Sequence, residues 1–198
     1  MKDLLEKDFL RVINEYYPAF IQSGSSEYRK SVQCVRLNRV LKKALIENEI
    51  TISLKYFLNG LIKENKNYTL HDYTLFEGGD RCYNIQLIKD FHEERKSHSL
   101  CINLSVLIPY YTIHILEVRR SENFKKRIGG PERMIHLEAT IYNELISKVK
   151  NYLNVELGLY LFPENLINKV IPDISYENSD FGEFTFYNAF FLNSFYTR

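Results

Sequence analysis

Cysteine is scarce in this chain. The three present, Cys34, Cys82 and Cys101, are odd in number and widely spaced, with no C-x-x-C pair. That pattern excludes a disulfide framework and points to a reducing, cytoplasmic compartment. Tryptophan is absent altogether, whereas 15 tyrosines and 13 phenylalanines supply the aromatic content. Charge excess is also missing: 26 Lys and Arg against 25 Asp and Glu leave a formal net charge of +1. A dedicated nucleic-acid binder or an anionic-membrane binder carries a larger basic excess. Long apolar runs are lacking too. The most apolar window, Leu100 to Val118, is interrupted by Pro109, His114 and Glu117, and its alternation reads as two strands rather than a membrane span. Asp3, Glu6 and Asp8 break up the N-terminal apolar residues, so no signal peptide is expected.

What is present suffices for a folded domain. In 198 residues, 45% are hydrophobic and 26% charged, ordinary values for a globular protein. No internal repeat, low-complexity stretch or linker interrupts the chain, which predicts a single domain over residues 1–198.

Helical periodicity opens the sequence. Leu5, Phe9, Val12 and Tyr16 form one apolar stripe, and Pro18 ends that helix. A second helix is predicted from about Glu27 to Glu49, with Val40, Leu41, Ala44 and Leu45 facing inward. A third follows a cap at Thr51 or Ser53 and carries Leu54, Phe57, Leu58, Leu61 and Ile62 on one face.

The period then shortens to two. Tyr73 and Leu75, the turn signal Glu77-Gly78-Gly79-Asp80, and Tyr83, Ile85 and Leu87 predict one β-hairpin. The charged stretch Lys89–His98 reads as a solvated connector. Leu100, Ile102, Leu104, Val106 and Ile108 predict a half-buried strand, and Tyr111, Ile113 and Ile115 its hairpin partner. Pro131 suits the first turn of a long helix bearing Leu137, Ile141, Leu145, Val149 and Tyr152. A strand over Val155–Phe162, a short helix near Glu164–Lys169 and an aromatic terminal segment follow. Segregated elements of this kind define an α+β fold: N-terminal helices, a central antiparallel sheet of about four to six strands, and one long helix packed on it.

Catalytic and cofactor motifs are incomplete. His92-Glu93-Glu94-Arg95-Lys96-Ser97-His98 approaches H-E-x-x-H, but lysine stands where the second histidine is needed, so no metal site is expected. Gly129-Gly130 precedes a helix signal yet lacks the rest of a phosphate-cradling loop. No cofactor is therefore expected, and no catalytic residue is assigned. Cys101 and His114 lie on facing arms of a predicted hairpin, and a Cys–His pair can serve as nucleophile and base. A small cytoplasmic enzyme using that pair is one alternative reading.

Two charge features remain. Arg119, Arg120, Lys125, Lys126 and Arg127, with Phe124 among them, form a basic loop of the kind that contacts phosphate backbones and stacks a base. Nucleic-acid binding through that loop is a second alternative. Against it stand Asp173, Glu177, Asp180 and Glu183, interleaved with Tyr176 and Phe181 and free of any basic residue from Pro172 to Tyr196. An acidic, aromatic strip suits docking to a basic protein, because tyrosine anchors and charge steers. Those six residues are the candidate partner-binding set, and no membrane partner is expected.

The C-terminal third also carries a resemblance. Phe162-Pro163-Glu164-Asn165-Leu166, Val170-Ile171-Pro172-Asp173-Ile174-Ser175, Gly182-Glu183-Phe184-Thr185 and Asn188-Ala189-Phe190-Phe191 resemble small bacterial proteins encoded beside secreted polymorphic toxins, where immunity proteins are found. The resemblance implies a non-enzymatic protein-binding module that neutralises a cognate toxin inside the producing cell. It assigns no residue a role.

Overall fold

The computed structural model describes residues 2–64, 67–91, 95–119, 132–133, 142–177 and 179–193. Helix α1 spans Lys2–Tyr16. Its buried residues are Phe9 and Ile13, one turn apart, and Tyr17 continues that line just beyond the helix. Leu5, Val12 and Tyr16 flank it at half burial.

The predicted second helix is two helices. Helix α2 covers Ser26–Lys30 and helix α3 covers Val32–Ile46. Ser31 separates them with φ −62° and ψ 146°. Its hydroxyl donates to the Tyr28 carbonyl at 2.7 Å and accepts from the Cys34 amide at 3.1 Å, so one side chain closes the first helix and caps the next. Helix α3 buries Leu37, Leu41 and Ala44, while Leu45 points to solvent rather than inward. Helix α4, Glu49–Glu64, begins before the expected cap and buries Leu54 and Leu58.

The sheet runs β1 (Thr69–Asp72), β2 (Cys82–Phe91), β3 (Lys96–Ser105), β4 (Tyr110–Arg119) and β5 (Glu132–Arg133) in sequential antiparallel order. Strand β6 (Tyr160–Leu161) pairs with β4 in parallel. The fold is thus α+β, with one short parallel edge on an otherwise antiparallel sheet. The first strand lies at 69–72 rather than at Tyr73–Leu75, and a 3₁₀ turn over Phe76–Gly78 fills the connection. Most of Lys89–His98 is strand, not connector: ten register pairs run from Cys82↔Ser105 to Phe91↔Lys96.

Alternation divides the sheet into two chemically different faces. Tyr83, Ile85 and Leu87 stand beside Leu104, Ile102 and Leu100, which meet Tyr111, Ile113 and Ile115. The Tyr83 hydroxyl donates to the Ala44 and Glu47 carbonyls at 2.8 and 2.9 Å, placing the end of α3 on this face. The opposite face is polar, yet Asn84, Gln86, Ser97, Ser99, Asn103 and Thr112 are all buried. Part of its cover is helix α7, Phe186–Phe190, because the Asn103 amide donates to the Tyr187 hydroxyl at 3.1 Å.

Residues 132–133, where the first turn of the long helix was expected, are strand and pair with Leu116 and Glu117; Pro131 itself lies outside the described residues. Helix α5 is Asn143–Asn151 and passes into a π-helical turn over Tyr152–Glu156. Tyr152 stacks on Phe57 of α4 with ring centroids 4.0 Å apart. The strand expected over Val155–Phe162 is reduced to β6, because the π turn runs on to Glu156 and takes its first two residues. Helix α6, Glu164–Ile167, matches the expected short helix. Leu137 and Ile141 lie outside the described residues.

Candidate partner-docking surface

The acidic segment is fastened to the rest of the molecule by its backbone and its inward side chains. The Ile171 amide donates to the Phe184 carbonyl at 2.7 Å, and Tyr176 and Ser179 exchange backbone hydrogen bonds across a tight turn. Ile174 and Ser175 are buried, and the Ser175 hydroxyl accepts from the Ser23 amide at 2.6 Å. With residues 174–176 held inside, Glu177, Asp180, Phe181 and Glu183 face solvent and Asp173 is half-buried.

Tyr176 differs from its predicted role as an exposed anchor. It is 7% exposed and turned into the molecule. Its ring lies under the Arg81 guanidinium, and its hydroxyl donates to the Gly79 carbonyl at 3.3 Å. Arg81 is fully buried and donates to the Gly79 and Asn188 carbonyls and to the Asn193 side chain. Buried charge demands such hydrogen bonding. Gly79 sits at φ 83°, where a Cβ would lie 2.7 Å from Asn193 Nδ2 and 3.2 Å from the Tyr176 hydroxyl. The Gly78-Gly79 turn thus gives the C-terminal segment room to close over Arg81.

Folding adds a second loop to the acidic strip. The Phe20 amide donates to the Asp173 carbonyl at 2.8 Å, and the Gln22 side chain donates to Asp180 Oδ1 at 3.0 Å. Phe20 is 81% exposed and Phe181 40%. Phe20 also sits at φ 60° and Glu177 at φ 50°, a left-handed conformation that costs a non-glycine residue energy. The result is a surface of two exposed phenylalanines among Asp173, Glu177, Asp180 and Glu183. Pro18 marked the helix end, but nothing local distinguished Phe20. Its membership depends on the contact with Asp173.

Other candidate residues fall elsewhere. Cys101 stands directly opposite His114 in the β3–β4 register, so both project from the same face. Cys101 is 1% exposed, and its thiol is directed at the Ser99 carbonyl at 3.6 Å. Burial pushes that thiol far above its ordinary range, which removes the thiolate that nucleophilic chemistry needs. His98 is buried against Tyr142 and Glu117, and His92 lies outside the described residues. Among the described residues, no group of three or more His, Cys, Asp or Glu can hold a metal ion. Arg119 ends β4 and donates to Glu117 Oε1 at 3.1 Å. Arg120, Phe124, Lys125, Lys126 and Arg127 lie outside the described residues.

Glu117 gathers three basic groups: Lys96 at 3.6 Å, His98 at 3.2 Å and Arg119 at 3.1 Å. Burial raises its carboxyl, but hydrogen bonds from Arg119 and His98 and the charge of Lys96 outweigh that and hold it below the usual range. The cluster clamps β3 to β4. No described helix is long and apolar enough to cross a membrane. No protein-family model, curated protein or solved structure matches this chain.

Proposed function

We propose that this chain is a non-enzymatic protein-binding module whose acidic, aromatic face receives a basic protein, and that the partner is a cognate toxin neutralised on binding. The observation that carries the reading is Phe20. A large aromatic side chain is 81% exposed on a strained backbone, beside a segment whose outward charges are all acidic. Exposed aromatics inside a field of one charge are the usual composition of a docking site: the ring supplies contact area and the charge steers the approach. Two loops from opposite ends of the chain are hydrogen-bonded into this surface, so the partner meets a pre-formed patch and loses little affinity to ordering it.

The test is reconstitution with a toxin encoded beside this gene. Wild-type protein forms a stoichiometric complex and suppresses toxicity. The double substitution Asp173→Lys with Asp180→Lys weakens it, more so at low salt. A complex indifferent to both charge reversals removes the acidic face from the account.

A further inference from the structure

Toward the end of β2, a cavity of about 260 Å³ opens between helices α4 and α5. Its apolar part is Leu61 and Ile62 of α4, Leu145 of α5 and Leu87 of β2. Leu61, Ile62 and Leu145 are only half-buried, so aliphatic surface from both helices stays uncovered inside it. Lys89 follows Leu87 on the same face of the strand and lines the cavity with Tyr68. A lysine thus continues the stripe that Tyr83, Ile85 and Leu87 begin. It is half-buried, and among the described residues it has no ion pair or hydrogen bond. Its ammonium lies 5.7 Å from the Tyr68 ring centroid and 5.0 Å from that of Phe91, and it is open to solvent rather than sealed.

The charges here do not cancel. The Lys96 ammonium sits 5.8 Å from the same Phe91 ring, so two cations crowd one aromatic side chain. Lys96 has Glu117, which also serves His98 and Arg119. In the cavity wall, Lys148 has Glu144 at 3.0 Å. Lys89 is left without a carboxylate among the described residues, and a charge drawn out of water calls for one. We propose that this cavity binds a small amphipathic carboxylate. Its hydrocarbon body covers Leu61, Ile62 and Leu145, and its carboxylate pairs with Lys89. Each half of the ligand answers a separate observation, the uncovered aliphatic surface and the unmatched cation. The volume lies below the roughly 300–1,000 Å³ of drug-sized pockets, which limits the body to a short chain or a single ring. The site is independent of the protein-docking reading: it requires no partner protein and shares no residue with the acidic face.

Lys89 is its own reporter. Acetylation by N-hydroxysuccinimidyl acetate, read by peptide mass mapping, measures access to it in the full chain, with exposed Lys63 as the internal reference. Hexanoate, butyrate and 1-hexanol are the probes, against chloride at matched ionic strength. At ten times its Kd, hexanoate slows acetylation of Lys89 by about tenfold and leaves Lys63 unchanged, since only the free fraction reacts. Butyrate binds about 15-fold more weakly, the effect of two fewer buried methylenes. Thermal unfolding follows the variants. Hexanoate raises the Tm of wild type, and Lys89→Met, which keeps the apolar stem, abolishes the rise. Glu144→Gln enlarges it by removing the competing carboxylate. Equal Lys89 rates in hexanoate and chloride overturn the proposal, as does an undiminished Tm rise in Lys89→Met. Butyrate protecting as well as hexanoate would reduce the site to a bare ion contact, and 1-hexanol protecting as well would reduce it to an apolar groove; either overturns it too.

Discussion

The guanidinium carbon of Arg81 lies 4.7 Å from the centroid of the Tyr176 ring. This contact joins the start of β2 to the C-terminal segment and holds the inner side of the acidic face in place. Arg81→Ala removes hydrogen bonds to two carbonyls and the Asn193 side chain at once, leaving buried acceptors unmatched. The expected loss is about 3 kcal/mol or more of unfolding free energy. Tyr176→Leu keeps much of the apolar contact and costs about 1–2 kcal/mol. Urea denaturation of both variants and of the double mutant measures the coupling, and additive losses would show that the ring and the cation act separately.

Ser31 closes α2 and caps α3 through one hydroxyl. Ser31→Ala lowers stability by about 1 kcal/mol, the ordinary cost of a lost cap. Ser31→Asp restores the acceptor for the Cys34 amide and recovers most of that loss. Thermal unfolding of the two variants checks the ranking.

The Glu117 cluster gives stability a pH dependence. Glu117 has a depressed carboxyl pKa in the folded state, so its contribution is fully present above the ordinary carboxylate pKa and is lost as pH falls through the lowered folded value. Glu117→Gln therefore destabilises at neutral pH. The gap from wild type narrows as the solution becomes acidic enough to protonate the folded carboxyl. A gap that persists at the most acidic pH where both proteins remain folded would show that packing, not charge, is what Glu117 supplies.

Tyr28→Phe runs against the usual direction for a buried substitution. The hydroxyl it deletes has no partner, so the variant is more stable than wild type by about 1 kcal/mol. Urea denaturation of the variant beside wild type measures the gain, and a loss of stability instead would show that the hydroxyl is satisfied in solution.

The sheet was legible where its alternation was clean. Leu100, Ile102 and Leu104 against Tyr111, Ile113 and Ile115 form the register pairs that the period-two pattern implies. The pattern misled where its polar half is also buried. A half-buried strand implies one face open to solvent, yet Asn84, Gln86 and Asn103 on the polar face are buried, with Asn84 opposite Asn103 across β2 and β3. Ser31 was invisible for a different reason: a serine inside a helical pattern reveals a break only through its backbone angles. Pro131 signalled a helix start, but residues 132–133 are taken up by the edge of β4. The acidic strip was legible from composition. Which of its residues turn inward depends on where Arg81 lies, so Tyr176 was read as an outward anchor. Phe20 belongs to the surface through a hydrogen bond spanning most of the chain, and no local pattern encodes that.

The most direct measurement is a calorimetric titration of the proposed partner, a toxin encoded beside this gene, with wild-type protein, Phe20→Ala and Asp180→Lys. Both residues are exposed; Asp180→Lys also removes the acceptor of the Gln22 side chain, so Phe20→Ala is the variant that reports on contact alone. Docking on this face predicts a complex whose Kd rises by about 30-fold for Phe20→Ala, the effect of a hot-spot aromatic worth about 2 kcal/mol. Asp180→Lys chiefly slows association in a salt-sensitive way. Affinities indistinguishable from wild type for both variants would place the partner elsewhere and contradict the central claim.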